Sequence, residues 1–208
     1  MVEWSIAAMR LAACVRSIVV ACPPGHVHDL GGHDLGVVEG GATRSQSVAN
    51  ALEAVGTELV AIHDAARPLV TPELVEGVVA TLTGDPEAAG AIAAAPVADT
   101  IKRAATARAD SRKDCPPYSG DNPSAVEATL DRGRLWAAQT PQVFWTQALR
   151  EALAGAPEAL AAATDEAMLV EAAGGRVLIH PAPLQNLKVT TPLDLRLAGL
   201  LLAERSAE

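Results

Sequence analysis

The sequence predicts an α/β fold with a mostly parallel sheet, and three observations carry the prediction. Its 208 residues are 50% hydrophobic, enough to close one core without splitting into several. Aromatic residues make up only 2% while alanine fills 43 positions, so the core must be built from small and aliphatic side chains in close-packed layers. Short β-branched runs alternate with segments of helical period, which is the pattern of right-handed βαβ crossovers.

The chain opens on a helix, because Ile6, Met9, Leu11 and Ala13 fall on one stripe. A strand follows over Ser17–Cys22 and stops at Pro23-Pro24, which cannot continue a ladder. Strand Leu35–Val38, helix Arg44–Val55, strand Glu58–Ile62, helix Pro72–Leu82 and strand Ala89–Ala95 continue the alternation. The helix at Pro72 is well marked: Thr71 supplies a hydroxyl cap, proline takes the first helical position and Glu73 places an acid in the first turn. Residues Ala104–Ala128 are rich in Pro, Gly and Asp and have no period, so they read as an insertion between two strands. After them come an apolar segment Leu135–Phe144, helices near Thr146–Leu153 and Thr164–Ala173, a strand Arg176–His180 and a last helix Pro192–Glu204 capped by Thr191.

Composition excludes several functions. A formal charge of -9 argues against wrapping a nucleic-acid backbone, which needs a cationic surface. No apolar run approaches the roughly 18 to 20 residues of a membrane span, and Glu3, Arg10 and Arg16 interrupt the first apolar stretch, so it is not read as a signal peptide. Cys14, Cys22 and Cys115 form no CxxC pair and leave one thiol over in any disulfide scheme, which fits a reducing cytoplasm. His26, His28, Asp29, His33 and Asp34 match no zinc spacing, and no GxSxG elbow is present.

Two fragments are placed to bind ligands. His63-Asp64-Ala65-Ala66-Arg67 directly follows a strand, where open α/β sheets carry their ligand-binding residues. An acid and a guanidinium at this spacing serve either a sugar hydroxyl and a phosphate or a structural Asp–Arg pair that fixes the loop, and the sequence leaves both readings open. Gly40-Gly41-Ala42-Thr43-Arg44-Ser45-Gln46-Ser47 opens a helix with glycines, hydroxyls and an arginine, which suits an anion and equally suits simple capping. Cations and hydroxyls recur after strands at Thr100-Ile101-Lys102-Arg103, Arg132, Thr140 and Lys188, in a chain that is otherwise acidic. Such local clusters are what an anionic ligand requires.

The blocks GGATRSQSV, VAIHDAARPLVTPEL, AAAPVADTIKR, TLDRGRLWAAQTPQVF, ATDEAMLVEAAGG and NLKVTTPLDL, in this order, closely resemble the 2-C-methyl-D-erythritol 4-phosphate cytidylyltransferases of the non-mevalonate isoprenoid pathway. The resemblance implies a Rossmann-like nucleotidyltransferase of one domain over 1–208, with helices on both faces of the sheet. It also implies a projecting dimerisation arm and insertion at about 99–140, a homodimer, and a divalent ion, usually magnesium. CTP would be the co-substrate and a polyol phosphate the acceptor. By motif, Gly41 and Ser47 would lie by the cytidine and Asp64 by the ribose or the metal, with Arg67 in the same active-site loop. Thr100, Arg132, Thr140 and Thr164 would contact the methylerythritol phosphate, Arg132 reaching across from the partner subunit. Lys188 and Arg132 would be the catalytic cations.

Members of the family open with a strand and a Gly-rich loop bearing an arginine and a lysine that hold the triphosphate, whereas Met1-Val2-Glu3-Trp4-Ser5 resembles the helix after that loop. The expectation is therefore an N-terminally incomplete domain. Two alternatives stand beside the leading one: a cytidylyltransferase for another polyol phosphate such as ribitol 5-phosphate, and a catalytically inactive truncated remnant or dimerisation partner.

Overall fold

The architecture comes from a computed structural model, which describes residues 1–27, 35–105, 125–155, 160 and 163–205. His28, Asp29, His33, Asp34, Cys115 and most of the expected insertion lie outside the described residues. In chain order the elements are α1 (Val2–Leu11), β1 (Ile18–Cys22), β2 (Leu35–Glu39), α2 (Arg44–Glu53), β3 (Leu59–Ile62), α3 (Pro72–Thr83) and β4 (Gly90–Pro96). There follow β5 (Lys102–Ala104), β6 (Val126–Thr129), a 3-10 turn at Arg132–Arg134, β7 (Trp136–Trp145), α4 (Thr146–Leu153), α5 (Glu166–Ala172), β8 (Val177–Pro181) and α6 (Pro192–Arg205). Element types follow the sequence expectation closely.

The chain divides into two compact units, residues Met1–Ala95 with Ala138–Glu208, and residues Pro96–Ala137. In the first, β1 and β2 pair in parallel, Val20 opposite Val37. A four-stranded sheet has the order β3-β7-β4-β8, in which β4 and β8 are parallel, Ile92 opposite Ile179, and β3 and β7 are antiparallel, Val60 opposite Phe144. β7 thus enters between two strands that precede it in the chain.

Alternation along the strands sorts the core into two layers. On one face Ala91, Ala93 and Val143 pack with Ala8 and Met9 of α1 and with Leu74, Val75, Val78 and Leu82 of α3. On the other Ile92, Phe144 and Val60 pack with Leu52 of α2, Leu149 and Ala152 of α4, and Ala167, Leu169 and Val170 of α5. The sheet is therefore covered by helices on both sides, as expected. Phe144 is fully buried, and its ring lies where a side chain on Gly90 would project, so glycine is required there by close approach.

Four helices of this unit start at a side-chain cap, whereas α1 and α4 begin at Met1 and Trp145 without one. Thr43 accepts the Gln46 amide at the head of α2, Thr71 the Leu74 amide at α3, and Asp165 the Met168 amide at α5. At α6 Thr191 Oγ1 accepts the Asp194 amide, while Asp194 Oδ2 accepts the amides of Thr190 and Thr191.

In the second unit β5 and β6 pair antiparallel, Lys102 opposite Thr129 and Arg103 opposite Ala128. This corrects the expectation that Ala104–Ala128 is aperiodic throughout, since its shoulders are strands. The stem is exposed and is held by polar cross-strand contacts, Lys102 Nζ donating to Thr129 Oγ1 at 2.7 Å and Arg103 facing Glu127 at 3.1 Å. With no apolar face to bury, it leaves no alternation to read.

Candidate active site

The carboxyl end of β3 delivers His63 and Asp64 into a loop closed by Arg67, whose amide donates to the Asp64 carbonyl at 2.9 Å. The Asp64 amide donates to Thr140 Oγ1 at 3.1 Å, tying this loop to β7. His63 Nε2 lies 3.1 Å from the Arg67 carbonyl, which only accepts, so Nε2 carries the ring proton. His63 Nδ1 must then accept from the Thr140 hydroxyl, 3.0 Å away. Burial holds the imidazole pKa down to about 4, so it remains neutral in this role.

Asp64 is the centre of a set of charges brought together from four parts of the chain. Arg44, the first residue of α2, places Nη2 3.2 Å from Asp64 Oδ1, and Lys188, from the segment between β8 and α6, places Nζ 2.9 Å from Oδ2. Arg44 Nη1 meets both carboxylate oxygens of Glu166, the first residue of α5, at 2.5 Å. Glu166, Arg44, Asp64 and Lys188 therefore run as alternating charges. Burial opposes the ionisation of Asp64, but the hydrogen bond from Lys188 and the neighbouring Arg44 charge outweigh it and hold its pKa below the usual aspartate range. Burial likewise works against the Arg44 charge, and the Glu166 and Asp64 carboxylates more than offset it, raising its pKa.

The sequence-expected residues take different places around this set. Gly41 donates its amide to Ser47 Oγ at 3.0 Å, and Ser47 donates in turn to the Thr43 carbonyl, so both sit in the turn that opens α2 beside Arg44. Thr164 is exposed just ahead of the Asp165 cap of α5. Lys188 has a half-exposed side chain, open to a ligand. Thr140 is 3% exposed, with its hydroxyl engaged on both sides. Arg67 is buried as well: Nη1 donates to the Asn186 carbonyl at 2.7 Å and Nη2 to the Ala138 carbonyl at 3.5 Å. Its guanidinium holds the backbone that carries Lys188 and makes no side-chain pair with Asp64, whose carboxylate is taken by Arg44 and Lys188. Thr100 and Arg132 belong to the second unit, where both are exposed and Arg132 Nη1 donates to the Ala98 carbonyl at 2.6 Å.

Sequence reasoning missed Glu166, Asn186 and the role of His63. Asn186 is 1% exposed and donates from Nδ2 to Gln139 Oε1 and to the Thr140 carbonyl, joining the Lys188 segment to β7. The one signal for Glu166 is an acid set inside the apolar run ATDEAMLV, because its partner lies more than a hundred residues away.

Among the described residues, no helix is long and apolar enough to cross a membrane. The chain matches the family model described as IspD, 2-C-methyl-D-erythritol 4-phosphate cytidylyltransferase, over residues 1–204. It is 41% identical over 174 residues to a protein of that name from Symbiobacterium thermophilum, covering 83% of this chain and 66% of that protein. It is also 41% identical over 206 residues to a bifunctional enzyme IspD/IspF from an Anaeromyxobacter species, covering 94% of this chain and 49% of that one. The chain thus spans just under two thirds of the first relative's length and about half of the second's. Among solved structures, the 2-C-methyl-D-erythritol 4-phosphate cytidylyltransferase of Thermus thermophilus superposes with a TM-score of 0.75 at 36% identity, over 97% of this chain and 88% of that one.

Proposed function

Because the chain belongs to the 2-C-methyl-D-erythritol 4-phosphate cytidylyltransferase family, we propose that it joins CTP to 2-C-methyl-D-erythritol 4-phosphate, giving 4-diphosphocytidyl-2-C-methyl-D-erythritol and pyrophosphate for isoprenoid precursor synthesis. The observation that carries this reading is Asp64 held ionised between Arg44 and the half-exposed Lys188 at the carboxyl end of β3.

In this reading a phosphate oxygen of the alcohol phosphate attacks the α-phosphorus of CTP. The new phosphorus–oxygen bond forms as the bond to the bridging oxygen breaks, and pyrophosphate leaves with that oxygen. No enzyme nucleophile is needed, so catalysis consists of positioning and of neutralising charge. Lys188 supplies a cation to the phosphates, and the buried Arg67 and Asn186 keep its segment in place. Gly41 and Ser47 border the cytidine, and Thr164 and the Thr140 region border the acceptor phosphate. Thr100 also contacts the acceptor phosphate, and Arg132 comes from the arm of a second subunit in a homodimer, completing the cationic set. Cytoplasmic residence, with free thiols, is part of the same reading.

A metal fits one part of this arrangement. Among the described residues, no group of three or more His, Cys, Asp and Glu side chains is placed to hold an ion alone. Asp64 is a single carboxylate, which suits magnesium, an ion that takes one or two carboxylates and completes its shell with substrate phosphates and water. Asp64 would hold it, and the ion when bound supplies positive charge to the triphosphate.

Pyrophosphate release from CTP, measured with the methylerythritol phosphate and with ribitol 5-phosphate, tests the proposal. Turnover with a clear preference for the first compound is expected. Preference for ribitol 5-phosphate would reassign the substrate, and no turnover with either, together with retained self-association, would leave the non-catalytic alternative standing.

A further inference from the structure

Glu166 has no solvent exposure, although it carries a carboxylate and the mechanism above does not use it. Taking a carboxylate out of water is strongly unfavourable unless a charge partner and hydrogen bonds replace the lost hydration. One nitrogen of Arg44 supplies both, since Nη1 lies 2.5 Å from each Glu166 oxygen. The other terminal nitrogen of the same planar group reaches Asp64 Oδ1 at 3.2 Å. A guanidinium is a rigid fork, so fixing one of its ends fixes the direction in which the other donates.

The two ends are anchored on separate helices, Arg44 at the first turn of α2 and Glu166 at the first turn of α5. The α5 side is itself clamped to the sheet, because Gln142 of β7 accepts from the Ala167 amide through Oε1 and donates to Asp165 Oδ2 through Nε2. The resulting path runs from a rigid strand through Glu166 and Arg44 to one oxygen of Asp64, leaving the other oxygen to Lys188. We propose that Glu166 is a positioning residue that sets the orientation of the Asp64 carboxylate by locking the Arg44 guanidinium. The inference rests on the cytidylyltransferase reading for its catalytic consequence, but its geometric content stands apart from it.

The test uses Glu166→Gln, which keeps the shape and an acceptor oxygen but removes the charge. Steady-state kinetics should show kcat lowered by about 10- to 100-fold, the range typical of residues that orient a group bound to substrate or metal. KM for the alcohol phosphate should change far less. Added to an Asp64→Asn chain, the same substitution should have almost no further effect, because its route passes through Asp64. Wild-type kcat in E166Q, or losses that multiply in the double variant, would overturn the proposal in favour of a simple brace between helices. Should E166Q not fold, as judged by its thermal transition, Arg44→Lys serves instead: its single nitrogen cannot hold both carboxylates, and it should show the same kcat loss and the same non-additivity. A crystal structure of the variant reads the link without turnover, so an inactive wild type refutes the enzymatic reading while still deciding this one. Arg44 displaced from Asp64 is the expected result, and an unchanged Arg44–Asp64 contact is the contrary one.

Discussion

At Thr140 one hydroxyl serves two neighbours, accepting from the Asp64 amide and donating to His63 Nδ1. Thr140→Val keeps the shape and strands both groups, so it should destabilise the fold by about 1–3 kcal/mol in urea titrations, with Thr140→Ser recovering most of the loss. Asp194 makes a different case, because its hydrogen bonds are on the surface. The amide and hydroxyl of Thr190 and the amide of Thr191 hold its pKa down to about 2. A carboxyl depressed in the folded state stabilises fully above its unfolded pKa of about 3.9 and loses that contribution as pH falls through the folded value. Thermal unfolding should therefore place Asp194→Asn below the wild type at neutral pH, with the gap closing between about pH 4 and pH 2. The cap was legible from Thr191-Pro192 with Asp194 two residues on, since all of its partners are local. The Thr140–His63 link was not, because nothing in a sequence states which hydroxyl a ring nitrogen will meet 77 residues away.

At the scale of elements, the ion pair between the heads of α2 and α5 is the most consequential joint. Arg44→Met would leave Glu166 buried without its counter-charge, which should cost about 3–5 kcal/mol in equilibrium denaturation. Pairing it with Glu166→Met should return most of that stability, because a packed apolar pair avoids the desolvation altogether. Helix boundaries were readable from their caps: α3 runs Pro72–Thr83 where Pro72–Leu82 is expected, and α6 runs Pro192–Arg205 where Pro192–Glu204 is expected. Strands that bury apolar faces were also readable, whereas the exposed β5–β6 stem was not, since it is held by Lys102, Arg103, Glu127 and Thr129 and shows no alternation. Motif order brought Asp64, Lys188 and the Gly41–Ser47 turn to attention. The buried polar joints that orient them, Glu166 and Asn186, stayed hidden because a buried charge is explained only by a partner distant in the chain.

For the whole molecule, the proposed sharing of a site between subunits has a direct test. Lys188→Ala and Arg132→Ala chains should each be inactive as homodimers, yet mixing them should restore about a quarter of wild-type activity, because in a two-fold heterodimer one site receives both cations. No recovery on mixing would place both residues in one subunit's site. The net charge of -9 gives these cations their contrast, since phosphate is repelled elsewhere on the surface. The strand order β3-β7-β4-β8 has a consequence of another kind, one that belongs to the ribosome. β3 and β4 leave the tunnel with the place between them unfilled, and the strand that fills it ends at Trp145, roughly 50 residues after Pro96. At about 5–20 residues per second, each nascent chain spends on the order of several seconds with two unzipped strands, and in a crowded polysome a neighbour's strand competes for the gap during that interval.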